Sequence, residues 1–312
     1  MKKGRIFTNC LFIVCTLMAA ISFTSCSADS DSSYSGIDES VIENADSQTE
    51  APFSVVLKAY SDNKDITVKG DVDQTTLFVF DQNGDYYTQV SLDKTYLLQA
   101  KPVEISCPGS KQITVVAWAG LSSDSENISA MSKANIISDL QVSLKQNNGV
   151  AAALPGDLFY GQITLKNTAT KAGVETLKIE RKVSSISLIT KGVIKMLDSR
   201  EGNFYYKVKK TKASFDHNGK LTGEEIEYII PATMDAKGNV VADNTAILPA
   251  SDVTIELYKD DNMILSSKNV ENSEKVSVNE GEQSEITFDL SKNNCNIVVA
   301  DWGTVITHVT IG

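Results

Sequence analysis

The 312-residue chain is short of arginine, histidine and cysteine, and each shortage closes off a class of function. Three arginines, Arg5, Arg181 and Arg200, stand in a chain with 40 Asp and Glu and a net charge of −11, so the basic footprint that neutralises phosphate is missing and no nucleic acid partner is expected. Two histidines, His217 and His308, and no Cys-x-x-Cys pair leave no spacing suited to zinc. Neither histidine sits in a G-x-S-x-G elbow or a comparable nucleophile setting, and no carboxylate pair stands out for glycoside cleavage. The expectation is a protein that is not an enzyme and carries neither cofactor nor metal. Long apolar runs are absent too: none reaches the about 20 residues a membrane-spanning helix requires.

What is present at the N-terminus fixes the compartment. Lys2, Lys3 and Arg5 precede the apolar run 11–21, and this order of charge and hydrophobicity is that of an export signal over residues 1–25. Phe23-Thr24-Ser25-Cys26 then resembles the lipobox of bacterial lipoproteins, with Phe23 where leucine is usual, which makes Cys26 the expected lipid attachment point. A cleaved signal that leaves Cys26 as a free thiol is the alternative. Loss of residues 1–25, with three basic and no acidic residues, takes the net charge from −11 to −14. Cys10 and Cys15 leave with the signal, and Cys107 and Cys295 remain either to pair or to serve as small buried hydrophobes.

Residues 26–51 read as an acidic flexible tether. Between Ser27 and Glu50 there are seven acidic residues and no basic ones, a composition that buries too little apolar surface to order itself. A coil of this length holds the folded part of the chain roughly 25–30 Å from a membrane. Ser27, Asp29 and Asp31 also resemble the acidic signal that sends Bacteroidetes lipoproteins to the outer face of the outer membrane, with plain linker composition as the alternative.

From Ala51 onward short β-rich runs alternate with turn residues. Strands are predicted over 75–80 and 86–90, joined by a tight hairpin at Asn83-Gly84, and over 113–119, whose sequence ITVVAWA is apolar throughout and therefore predicted to be buried on both faces. Near-helical spacing of Ile128, Met131, Ile136, Leu140 and Leu144 predicts one short helix. A second series of strands is predicted over 183–190, 204–208, 225–230, 253–258, 286–290, 297–300 and 304–311. Recurrent strands without long helices make the chain all-β, and the length suits two β-sandwich domains, 52–171 and 172–312, divided near Lys171-Ala172-Gly173. Phe80-Asp81-Gln82-Asn83-Gly84 is echoed by Phe215-Asp216-His217-Asn218-Gly219.

Two binding readings are weaker. Asp81 to Asp85 alternates oxygen ligands, yet Tyr86 and Leu92 occupy the places where a calcium loop of the EF-hand type needs Gly and Glu. Sugar stacking would need exposed aromatics, but Trp118 falls inside the apolar run, leaving Trp302 and the tyrosine pairs Tyr86-Tyr87 and Tyr205-Tyr206.

Leu77-Phe78-Val79-Phe80-Asp81-Gln82-Asn83-Gly84, then Val115-Val116-Ala117-Trp118-Ala119-Gly120-Leu121, then Asp157-Leu158-Phe159-Tyr160-Gly161, and finally Val298-Val299-Ala300-Asp301-Trp302 succeed one another behind the lipobox. In that order they resemble the fimbrial anchor lipoproteins of Bacteroidetes, the FimB-like family of type V pili. The resemblance implies two transthyretin-like β-sandwich domains behind a disordered lipidated tether, an outer-membrane and fimbrial location, and joining to fimbrial stalk subunits by β-strand exchange. It makes residues 304–311 (TVITHVTI) a candidate donor strand, with an ordinary closing strand as the alternative. The competing roles are a polymerising stalk or tip subunit, or a surface glycan-binding lipoprotein. Stalk and tip subunits are trimmed by a protease, in the best-known system after an arginine, and no arginine lies between Cys26 and Arg181, which favours retention of the lipid and hence the anchor.

Overall fold

The structure, a computed structural model, describes residues 51–167, 173–197, 199–272, 276–304 and 306. The predicted signal, Cys26 and almost all of the tether lie outside these residues, as does most of the predicted strand 304–311. The described chain is nearly all β, arranged in two sheets.

The first sheet is built around Phe53–Ser61, whose alternating burial follows its alternating apolar sequence. Across the sheet the order runs Lys64–Asp65, Phe53–Ser61, Val174–Arg181, Phe159–Lys166, Gln112–Ala119, Gln74–Phe80 and Tyr86–Asp93, with Val103–Ile105 paired to the start of Phe53–Ser61. One face carries Val55, Leu57, Leu77, Val79, Val115, Ala117 and Ile179 into a core closed by Leu97 of the short helix Lys94–Leu98. The opposite face of the central strands carries Phe78, Phe80, Val116 and Trp118 into a second core. Gln112–Ala119 is thus covered on both sides, as its unbroken apolar sequence predicts.

That second core is the filling of a sandwich. One layer holds Phe204–Phe215, Leu221–Met234 and Thr254–Lys259, and the other holds Val240–Ile247, Ser184–Lys191, Glu282–Asp289 and Asn294–Asp301. Tyr206 and Leu257 from the first layer meet Leu188 and Phe288 from the second. The fully buried Tyr206 hydroxyl lies 2.8 Å from Thr190 Oγ1 and donates to the Val240 carbonyl at 3.0 Å, so its polar end is satisfied inside the core.

Three sequence expectations are corrected. A cut between residues 171 and 172 would part strands of one sheet, because Val174–Arg181 pairs in parallel with Phe53–Ser61 and antiparallel with Phe159–Lys166. Residues between Glu126 and Ala151, although earlier in the chain, pair with Phe204–Phe215 and Leu221–Met234. The predicted helix over 128–144 is instead the strands Glu126–Ile128 and Val142–Leu144 around the 3-10 turn Ile137–Asp139. There polar side chains take the backbone groups a helix would need: Asn135 Oδ1 accepts from the Ser132 N–H at 2.9 Å and Asp139 Oδ2 from the Ile136 N–H at 3.0 Å.

The third correction concerns the hairpin at Asn83-Gly84. It is a five-residue loop in which Asp81 N–H donates to the Asp85 carbonyl, Gly84 N–H to the Asp81 carbonyl, and Asp81 Oδ1 accepts from Asn83 and Asp85 N–H at 2.8 and 3.0 Å. Only Gly84 takes a positive φ, +86°. The loops at 216–220 and 235–239 repeat the pattern, each with an Asp carboxylate on backbone N–H groups. The echo between 80–84 and 215–219 is therefore a shared way of closing a hairpin.

Candidate docking edge and C-terminal root

The two sheets meet where only Lys182 and Val183 separate Val174–Arg181 from Ser184–Lys191. Arg181 ends the first of these strands on its buried face, continuing the inward positions of Leu177 and Ile179. Its guanidinium is held from several sides. Nε and Nη2 donate to the two oxygens of Asp157 at 2.6 and 2.8 Å, and Nη1 donates to Ser61 Oγ at 2.8 Å. Asp71 lies 3.6 Å away, and the planar cation sits 4.8 Å from the ring centre of Phe159 and 4.4 Å from that of Trp302.

Trp302 belongs to the other end of the chain. It comes directly after the closing strand Asn294–Asp301 in a turn in which Thr304 N–H donates to the Asp301 carbonyl at 3.0 Å. Lys64 pairs with Asp301, and Ser61 Oγ donates to the Gly281 carbonyl at 3.2 Å. The root of the C-terminal segment is therefore pinned to the first sheet by cation–π contact and ion pair, and the Ser61 hydrogen bond ties down the turn before Glu282–Asp289. Past the turn, Gly303, Thr304 and Ile306 line a groove of about 360 Å³ with Ser187, Ile189, Val241 and Asp243 on the outer face of the second sheet.

A buried carboxylate organises the loop behind this junction. Glu126 Oε2 accepts from Ser122 N–H and Oε1 from Gly156 N–H, both at 2.8 Å. Burial raises its pKa above the usual carboxylate range, more than the two N–H groups lower it. Burial likewise raises that of Asp157 against the opposing pull of Arg181. Through these hydrogen bonds both groups act as fasteners.

A second fastening is aromatic. Trp118 packs 5.0 Å from Tyr160 and 5.5 Å from Phe215, and the Tyr160 hydroxyl donates to the His217 carbonyl at 2.9 Å, tying the first sheet to the hairpin at 216–220. The buried Trp118 and Tyr206 offer no face to a sugar, and Tyr205 stacks on Tyr258 at 5.2 Å. Cys107 and Cys295 are free thiols in separate cores, so their pairing is excluded, and burial pushes the Cys295 thiol up to about 11.

Of the residues that sequence reasoning singled out, Cys26 and His308 lie outside the described chain, and only Thr304 and Ile306 of the candidate donor strand are placed. The fastening of Arg181 to Asp157 is not among the sequence expectations. The available signal was a lone arginine at an inward position of the pattern Leu177-x-Ile179-x-Arg181, where a hydrophobe is the rule.

Comparison with known proteins agrees with this outline. A family model described as Mfa2, fimbrillin-A associated anchor proteins Mfa1 and Mfa2, matches residues 45–308. The major fimbrium anchoring subunit FimB of Porphyromonas gingivalis is 24% identical over 261 residues, which cover 80% of this chain and 84% of FimB. Among solved structures, the fimbrial anchor protein Mfa2 from Porphyromonas gingivalis matches with a TM-score of 0.58 and 16% identity, covering 80% of this chain and 98% of that one. A candidate polysaccharide-binding protein from Bacteroides thetaiotaomicron matches with a TM-score of 0.63 and 19% identity, covering 83% and 99%.

Proposed function

Since this chain belongs to the family of fimbrillin-A associated anchor proteins, we infer that it is the subunit that holds a fimbria to the outer membrane through a lipid on Cys26. The observation that carries the reading is the family match over residues 45–308, which begins inside an acidic stretch placed directly behind a lipobox-like Phe23-Thr24-Ser25-Cys26. The role is mechanical. A lipid chain supplies the grip on the membrane, residues 26–51 supply slack, and the folded part supplies the joint to the stalk.

The joint is formed by strand exchange, in which an extended segment of one subunit completes a sheet of the next through main-chain hydrogen bonds, with alternate side chains filling pockets. Residues 304–311, β-branched at most positions and rooted at Trp302, are the candidate donor. The absence of arginine between Cys26 and Arg181 supports retention of the lipid over the stalk or tip role.

Replacing the lipidated residue tests this. A Cys26→Ala chain is expected to be exported but lost from the outer membrane, with fimbriae shed into the medium. Fimbriae held at the normal level by cells carrying only that variant would contradict the reading.

A further inference from the structure

We propose that the closing strand Asn294–Asp301 is the edge on which this chain receives an extended segment of a stalk subunit, through the main-chain groups of Ile297 and Val299. This rests on the reading that the chain joins stalk subunits, and gives that joint a receiving edge beside the candidate donor 304–311.

Sheet edges in native proteins are usually blunted by bulges, lysine, proline, shortness or a cover. Of the four strands that end the two sheets among the described residues, three are blunted in those ways. Lys64–Asp65 is two residues long and charged. Tyr86–Asp93 has a register shift opposite Val79 and Phe80, and its first N–H is already donated to the Asn135 carbonyl. Asn262–Ser266 has a register shift at Leu257 and Tyr258. Asn294–Asp301 runs eight residues in unbroken register with Glu282–Asp289, contains no lysine or proline, and has no charged residue before Asp301.

Its free hydrogen-bonding groups can be identified. Cys295 N–H donates to the Glu271 carbonyl at 3.0 Å, on the side away from Glu282–Asp289. Because main-chain groups of successive residues in an antiparallel strand point to opposite sides, those of Ile297 and Val299 also point away from the sheet. No hydrogen bond to either is made on that side among the described residues. Val299 is 52% exposed, so side-chain recognition is available beside the main-chain groups.

The ends of this window are closed. Glu271 occupies Cys295 at one end, and at the other Asp301 is taken by Lys64 and by the turn to Thr304. What is left, residues 296–300, spans about 16 Å at strand rise and fits one extended, uncharged segment. A second copy of this chain fits poorly. Two mature copies, each with a net charge of −14, repel one another, and in an antiparallel pairing the chain at Glu271 of one copy would run into the Asp301–Thr304 turn of the other. The occupant is therefore a strand from a different subunit, one whose apolar side chains fall on the sheet face that carries Ile297 and Val299.

Val299→Pro is the direct test, because it deletes an outward N–H that nothing in the described chain uses, and proline is tolerated on edge strands in that orientation. Val299→Lys adds the charge that native edges use as a guard, and Val299→Thr leaves the strand intact. In cells whose only copy is the variant, stalk subunit recovered from the medium is expected to rise about tenfold or more for Pro and Lys and to stay near wild type for Thr, with the amount of this chain on the cells unchanged. Melting temperature of the purified variants separates docking from misfolding. Fimbriae retained at wild-type level by the folded Val299→Pro protein would overturn the assignment of the edge. A strain lacking the whole chain distinguishes the two ideas. If it sheds fimbriae while Val299→Pro does not, only the edge assignment falls, and if it keeps them, the anchoring role falls as well. A purified dimer that Val299→Pro converts to monomer would give the edge to a second copy and overturn the proposal.

Discussion

The guanidinium of Arg181 lies 4.4 Å from the ring centre of Trp302, so the last residue of a strand in the first sheet caps the turn that ends the closing strand of the second. The cation cannot drift, because Asp157 and Ser61 fix its remaining donors. The C-terminal segment therefore departs from a fixed point at the junction of the two sheets.

Arg181→Met should destabilise the protein by about 3–4 kcal/mol, the lower part of the range for breaking a buried ion pair because the Asp157 side chain is 32% exposed. Trp302→Leu should cost about 1 kcal/mol. A double-mutant cycle by urea unfolding should return a coupling of about 0.5–2 kcal/mol between the two positions. Additive effects would mean that the stacked geometry contributes nothing.

The buried Glu126 makes a prediction about pH. Its pKa is raised in the fold, chiefly by burial, so the folded state holds the proton more tightly than the unfolded chain does. The group's stabilising contribution is complete below the unfolded value of about 4 and is lost as pH rises through the raised folded value. Glu126→Gln removes this titration at the expense of one N–H bond. The stability of wild type minus that of the variant should be largest near pH 4 and decline toward neutrality. A difference that grows with pH would contradict the burial argument.

Gly219 takes φ +66° in the loop closed by Asp216, and a Cβ there would come 2.4 Å from Cδ1 of the Tyr160 ring. Gly219→Ala is therefore expected to lower stability by about 2 kcal/mol or more, from left-handed strain together with displacement of Tyr160 from Trp118. Thermal melting checks it, and Tyr160→Phe, which removes the hydroxyl bonded to the His217 carbonyl, should cost about 1 kcal/mol.

Cys107 and Cys295 should both remain reduced after export. Native protein should react slowly with alkylating reagent at Cys295, whose thiol is pushed up to about 11, and rapidly once unfolded. Mass spectrometry without reduction should find both thiols free in the exported chain; a mass lower by two hydrogens would contradict the separate cores.

Much of the fold is legible in the sequence because strand periodicity is local. The runs at 75–80, 113–119 and 204–208 stand out by apolar alternation or unbroken apolarity, and all three are strands. The helix expected over 128–144 does not form because spacing of apolar residues says nothing of Ser132, Asn135 and Asp139, whose side chains divert the backbone. The division expected near residue 171 cuts through a sheet because parallel pairing of Val174–Arg181 with Phe53–Ser61 joins positions 120 residues apart, which no window of sequence displays. The junction is the least legible part. Arg181, Asp157 and Trp302 meet only after both sheets have formed, and the main-chain edge at Ile297 and Val299 has no side-chain signature beyond the lack of lysine and proline.

The central claim is that the mature chain stays attached to the membrane by its first residue, and intact mass with N-terminal mapping of the protein from outer membranes tests it most directly. The account predicts a chain that begins at Cys26, carries diacylglycerol and acyl groups there, and runs unbroken to Gly312 in cells that display fimbriae. A mature chain that begins some tens of residues later, without lipid, would contradict it and place the protein among the processed stalk or tip subunits.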